Sequence, residues 1–291
     1  MRKKNQNLRP IDAPIYNYWQ AIYLSFYSPR LYMDVVKRWR GFGFLYLLFI
    51  IALASIPFSV RVIHGFDRYF HEEVTVPISK LPLLYVQNGQ VIFDEPMPYL
   101  IKNKKGEVID IIDTTGAVSD INALYPKLNL LITKYKIYSR YPKLNLFFEQ
   151  TDEVNQGLVN VQTLNPSMNE VFNVQEWIKS GRLERLKIII ELLLYPTIVL
   201  ILYGMYLVIM VVFGYTAIIF AQIVLKYKLK FKEGVRLFVV TGTPQVILFY
   251  IIFTLGLNFN GIGLIQLILL GLYFNYAVVL LKRDSKRLVN R

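Results

Sequence analysis

Between Asn88 and Gly116, the stretch NGQVIFDEPMPYLIKNKKGEVIDIIDTTG sets Asp94, Glu95, Glu107, Asp110 and Asp113 among apolar runs, with Asp120 just beyond. Carboxylates in this density suit three roles. They can act as a general acid and base, as in glycoside hydrolysis. They can hold a cation or ligand, or they can be the wet edges of a sheet. Catalysis needs two carboxylates at a fixed separation, which the spacing does not set, so the expectation is solvated strand edges and turns. If a function lies here, Asp94, Glu95, Asp110 and Asp113 are the binding surface to look at first. His64 and His71 are the only histidines, with Asp67, Glu72 and Glu73 close by in sequence. A His–carboxylate set can ligate a metal, but a polar collar beside an apolar segment is the simpler reading. The chain has no cysteine, hence no disulfide and no thiolate nucleophile. It carries no G-x-S-x-G, no H-E-x-x-H and no Gly-rich phosphate loop. VTGTPQ at 240–245 reads as a bend in an apolar helix. No catalytic residue, metal or cofactor is therefore expected, and no enzyme activity.

The elements that must position these residues come in apolar blocks. Gly41–Val60, Ile188–Leu225, Val235–Leu257 and Ile262–Leu281 are each long enough to cross a bilayer. The formal charge of +13 is concentrated beside them. Residues 1–40 carry +6, 226–236 carry +4 and 282–291 carry +4, while 61–187 hold fifteen charges of each sign. Lys and Arg flanking apolar spans mark the cytoplasmic side. The arrangement argues against nucleic-acid binding, which would gather the basic residues on one face. With three basic segments on one side the number of spans is even, and four is the expectation. Five would follow if the 38-residue second block crossed twice, which would put KYKLKFK outside. ALAS at 52–55 resembles a signal cleavage site, but the basic stretch before it is far longer than a signal peptide's, so an uncleaved anchor is expected.

The expected organisation is thus an α+β membrane protein, a four-helix transmembrane bundle with a small β-rich extracytoplasmic domain inserted. Residues 1–40 form a cytoplasmic aromatic and basic segment, and 41–63 the first span. The domain is 64–185. The second span is 186–225, the basic loop 226–234, the third span 235–257, the fourth 262–281 and the cytoplasmic tail 282–291. In the first segment Ile15, Trp19, Ile22, Tyr23 and Phe26 recur at helical spacing, which predicts a helix lying on the anionic inner leaflet. In the domain, Asn88-Gly89 between LLYVQ and QVIFD predicts a hairpin. KKG between YLIKN and EVIDIID predicts a second. Lack of alternation in VIDIID predicts a bulge or a strand covered on both faces. YPKLNL at 125–130 and 141–146 is local similarity, not a repeat. Glu191, Gln222, Gln245, Gln266 and Asn275 are the polar residues within the apolar blocks, a candidate intramembrane site or simple helix-to-helix contacts.

SFYSPRLYMDVVKRWRGFGFLYLLFIIAL, NGQVIFDEPMPYLI, IDIIDTTG and LLITKYKIY together resemble the bacterial membrane proteins known as domain of unknown function 1189, over nearly the whole chain. The resemblance implies a multi-pass protein of the bacterial inner (plasma) membrane. Some members are linked by label to maltodextrin utilisation, which implies an accessory role. It supplies no catalytic residues. The reading that follows is a non-enzymatic accessory, sensing or complex-subunit protein with N- and C-termini in the cytoplasm. It binds the bilayer and a protein partner in the membrane or periplasm. The alternative is a transporter-like or lipid-handling protein using the polar residues of the spans.

Overall fold

The computed structural model describes residues 13–103, 105–121, 125–140, 158–257 and 259–289. Ten α-helices and eight strands follow one another among them. Helices α1 (Tyr18–Leu24), α2 (Pro29–Lys37), α3 (Phe44–Ala54) and α4 (Ile56–Tyr69) come first; a π-helical turn (Phe70–Thr75) leads from α4 into α5 (Val76–Ser79). Strands β1 (Leu84–Gln87), β2 (Gln90–Ile92), β3 (Tyr99–Lys102), β4 (Val108–Asp113), β5 (Leu130–Thr133), β6 (Lys136–Arg140), β7 (Val159–Thr163) and β8 (Glu170–Phe172) follow. Helices α6 (Val174–Lys179), α7 (Arg182–Ile223), α8 (Phe231–Thr241), α9 (Thr243–Leu255) and α10 (Ile262–Val289) complete the chain. They group into two compact units, residues 1–60 with 195–291, and residues 61–194.

Among the described residues three helical stretches are long and apolar enough to cross a membrane: α7, α8 with α9, and α10; α3 with its continuation makes a fourth if that bent pair is one span. The second apolar block is one helix of 42 residues that runs through Pro196. At about 1.5 Å per residue it is some 63 Å long, twice a bilayer's hydrocarbon core. The third block is two helices meeting at Gly242, before Pro244, where the bend was expected.

Several boundaries differ from expectation, each for a local reason. Residues 41–63 are not one helix: α3 stops at Ala54 and the chain bends by 49°. Pro57 has no N–H for the Leu53 carbonyl, and its ring crowds that turn. Beyond the bend, helix continues to Ser79, well past position 64. The basic loop is shorter than 226–234 because α8 starts at Phe231, where Glu233 accepts from the Lys230 N–H. Residues 282–289 are no separate tail: they extend α10, and Lys282 Nζ donates to the Leu225 carbonyl at 2.7 Å.

The N-terminal segment also departs from a flat surface helix. Tyr18 lies against Tyr46 and Phe49, with ring centroids 5.4 and 6.0 Å apart, so α1 runs beside α3. Phe26 then meets Tyr273, Tyr32 meets Tyr276, and Lys37 pairs with Asp284 at 3.6 Å. Helices α1 and α2 therefore form a hairpin, with α2 returning along α10. Leu31, Tyr32, Asp34 and Val35 are buried in it. The short Ser28-Pro29 break allows the reversal, Pro29 opening α2 where its missing N–H costs nothing.

The second unit holds two sheets, β2-β1-β8 and β3-β4-β5-β6-β7. Both expected hairpins form. Asn88 and Gly89 have φ of 49° and 71°, the positive pair that a two-residue turn of the right twist needs. A Cβ on Gly89 would sit 2.6 Å from the Asn165 carbonyl oxygen, so that turn also admits a close neighbour. Strands β3 and β4 pair antiparallel with the expected bulge: Ile101 faces Asp110 and Lys102 faces Val108, leaving Ile109 extra. Strand β4 then pairs parallel with β5, which the sequence did not indicate. It is covered on both faces. Ile112 joins Leu84, Val86, Val91, Ile101 and Ile132 in one core, while Ile111 joins Val118, Leu128 and Leu131 in another. The second YPKLNL copy lies outside the described residues.

Candidate functional site

The four carboxylates singled out by sequence divide into two pairs. Asp94 and Glu95 are exposed in the β2–β3 connection, but Asp110 and Asp113 are buried in β4. The expectation of wet strand edges is corrected for the second pair, because β4 is the strand between two cores. Asp113 closes the IIDTTG loop. Its Oδ1 accepts from the Thr115 N–H at 2.9 Å and the Thr115 hydroxyl at 2.6 Å, and its Oδ2 accepts from the Val118 N–H. That bond seats Val118 on Ile111, Leu128 and Leu131. Burial raises the Asp113 carboxyl's pKa, but the hydrogen bonds from Thr115, Val118 and Gly116 outweigh it and hold the group below the ordinary carboxylate range.

A depressed pKa ties stability to the ionised form. The contribution is present above the unfolded value near 3.9 and is lost as pH falls through the folded one. Asp113→Ala is expected to cost about 2 kcal/mol of the second unit's stability, from two or three lost bonds to a buried acceptor. Comparing urea midpoints of wild type and variant from pH 7 to pH 3 checks this. The gap should narrow at the acid end, and a pH-independent gap would rule the ionised loop clasp out.

The other candidates are occupied or dispersed. Among the described residues no three His, Asp or Glu side chains gather as a metal site. His64 and His71 are exposed, and the side chain of Glu73 lies outside the described ones. Asp67 pairs with Lys187 Nζ. The same amine lies 3.8 Å from both Glu184 and Glu191. Glu191 is thus an ion-pair partner within the part of α7 that belongs to the second unit. Gln222 is exposed. Gln245 is buried and donates to the Tyr206 hydroxyl at 3.2 Å. Gln266 is buried on α10 with no hydrogen-bond partner among the described residues, and Asn275 is half-buried about 13 Å further along the same helix.

Two charged residues that sequence counting treated only as charges organise the helical unit. Asp34 is buried, and its oxygens accept from the N–H groups of Ile15 and Tyr16 and from Trp39 Nε1, at 3.1 to 3.2 Å. Arg38 lies 3.5 Å away. Arg236, counted with the basic charges of 226–236, is buried on α8. Its guanidinium donates to the Val36 carbonyl at 2.8 Å and the Gly41 carbonyl at 2.9 Å. Gly43, at φ +83°, leaves room for it: a Cβ there would lie 3.4 Å from Arg236 Cγ.

One exposed apolar surface of the second unit is a face of the three-stranded sheet. Tyr85 faces Ile92 on one side and Val171 on the other, so the three side chains form one row across all three strands. All are exposed, Val171 to 61%, while Val86 and Val91 on the opposite face are buried. Leu83, two residues before Tyr85, is exposed beside the row. Alternation in LLYVQ and QVIFD could have identified it, but the third strand comes from EVF, some eighty residues later.

Three or four long apolar helices joined to a small two-sheet unit with an open hydrophobic row define the class, a mixed α+β protein. The chain belongs to the family described as protein of unknown function, DUF1189, which matches residues 19–278. An uncharacterised protein of Rickettsia prowazekii is 26% identical over 167 residues, 54% of this chain and 55% of that protein. The match therefore spans about half the length of that relative. No solved structure matches the chain.

Proposed function

We propose that this is a multi-pass protein of the bacterial inner membrane that presents the 61–194 unit outside the cytoplasm as a binding module for a protein partner. It acts without chemistry of its own. The row Ile92–Tyr85–Val171 carries this reading. An aromatic flanked by aliphatic side chains on a rigid sheet is the kind of anchor that dominates protein interfaces. The acids of β4 do not compete for a catalytic role, since Asp113 is spent on the loop that covers a core.

The bilayer part of the reading rests on exposed helix faces. Leu192, Leu200, Val208, Phe220, Leu264, Ile268 and Leu272 are all exposed on α7 and α10, a surface that water would not tolerate at this extent. In this reading α3 with α4, α7, α8 with α9, and α10 make four spans. The basic residues at 226–232 and 282–286 then share the cytoplasmic side with the N-terminus, as the Lys/Arg bias requires.

A photo-crosslinking residue at Tyr85, in native membranes, is expected to give one discrete protein adduct, and the same residue at exposed Lys105 none. Val171→Asp should reduce the adduct about tenfold, which corresponds to binding weakened by roughly 1.4 kcal/mol. Equal adducts at both positions, or an adduct indifferent to Val171→Asp, would remove the sheet face as the docking surface.

A further inference from the structure

Building on the bilayer reading above, we infer that the α1–α2 hairpin is a re-entrant wedge, its aromatic face lying in the acyl chains of the leaflet that carries the basic segments. The register of its contacts sets the depth. α1 climbs beside α3, from Tyr18 at Tyr46 to Ile22, which shares a groove wall with Ile50, Leu53 and Pro57. α2 descends beside α10, from Phe26 at Tyr273 to Lys37 at Asp284. Lys282 is the first charge beyond the apolar run of α10, and Tyr273 is about 13 Å deeper along that helix. The tip therefore reaches nearly halfway into a hydrocarbon core of about 30 Å.

The surface and the turn both suit that depth. Trp19 is 60% exposed and Tyr23 54%, with Ile15, Phe26 and Tyr27 exposed beside them. The bundle leaves much of these large apolar side chains uncovered, the reverse of a helix packed in water. No charge occurs between Asp12 and Arg30. Arg30, exposed near the start of α2, has a stem long enough to carry its head several ångströms toward phosphates. Hydrocarbon offers no hydrogen bonds, so a turn immersed in it must satisfy its own backbone. Much of this one is tied down: the Tyr32 hydroxyl donates to the Ser25 carbonyl at 2.6 Å, Ser25 Oγ to the Ile22 carbonyl at 2.8 Å and the Tyr276 hydroxyl to the Tyr27 carbonyl at 3.5 Å. The N–H groups of Phe26, Tyr27 and Ser28 bond back to Tyr23 and Leu24. Beside α1, an apolar groove of about 320 Å³ against α3 and α9 continues the same surface.

The native chain has no cysteine, so single cysteines report position cleanly. Tyr23→Cys, Tyr27→Cys and Arg40→Cys would be placed separately in the full chain, in membranes with the basic side exposed to a charged maleimide. Arg40→Cys should label quickly, and the two hairpin positions at least about tenfold more slowly, because the reagent is excluded from hydrocarbon. Sodium dodecyl sulfate should make all three equal. Spin labels at 23 and 27 should be more accessible to oxygen than to a polar nickel chelate. If positions 23 and 27 label as fast as 40 while the chain stays in the membrane fraction, the wedge is overturned and the bilayer reading stands. If the chain is recovered without detergent, the bilayer reading itself fails.

Discussion

Arg236→Met is expected to lower the stability of the helical unit by about 3 to 5 kcal/mol, the loss of two charge-assisted hydrogen bonds and the stranding of their acceptors. The guanidinium spans two carbonyls, Val36 near the end of α2 and Gly41 beyond it. The Val36 carbonyl lies in the last turn of α2, where orphan carbonyls and the macrodipole favour a cation. Methionine fills the volume and supplies no donor. Arg236→Lys separates charge from shape: an ammonium on one stem reaches one carbonyl well, not two in fork geometry, so about half the loss should return. Thermal midpoints of the detergent-solubilised chain measure both. A methionine variant as stable as wild type would mean that the hairpin is held by its apolar contacts with α8 and α10 alone.

What could be read from sequence divides by the range of the interaction. The Asn88-Gly89 turn, the bulge in VIDIID and the break before Pro244 are set by a few adjacent residues, and each is where the sequence placed it. The long second helix was legible because 38 apolar residues without a charge cluster leave few alternatives. Asp110 and Asp113 were not. Their burial follows from β5 pairing parallel to β4, a register fixed by residues about twenty positions away. Pairing across a sheet leaves no periodic trace in either strand once both faces are covered. Charge counting failed at Arg236 for a related reason. It groups a residue with its neighbours in sequence, whereas this side chain is bonded to carbonyls 195 and 200 positions earlier. Of the stripe Ile15, Trp19, Ile22, Tyr23 and Phe26 read from the spacing, all are exposed except half-buried Ile22. Its amphipathic spacing is the same for a helix lying on a surface and for one packed upright against α3. Only the contacts of Tyr18 and Phe26 distinguish the two.

Asp34→Asn should open the base of the hairpin. The carboxylate accepts from three N–H donors and faces Arg38, and it offers no proton in return. An amide of the same shape must turn its NH2 toward at least one of those donors, which replaces an attraction by a repulsion in a buried place. The expected cost is about 3 kcal/mol, most of it from donors left without an acceptor. The loss is local, since Ile15, Tyr16 and Trp39 all belong to the ends of the hairpin, while Tyr32 and Leu31 stay packed nearer its tip. Chymotrypsin should therefore cut the variant at Tyr16 or Tyr18 under conditions where wild type resists, and leave α7 to α10 intact. Trp39, now without its acceptor and less shielded, should fluoresce further to the red. Cleavage spread evenly over both units would instead mean that Asp34 supports the whole fold. Unchanged resistance would mean that the clustered rings of Tyr18, Trp39 and Tyr46 close the base without it.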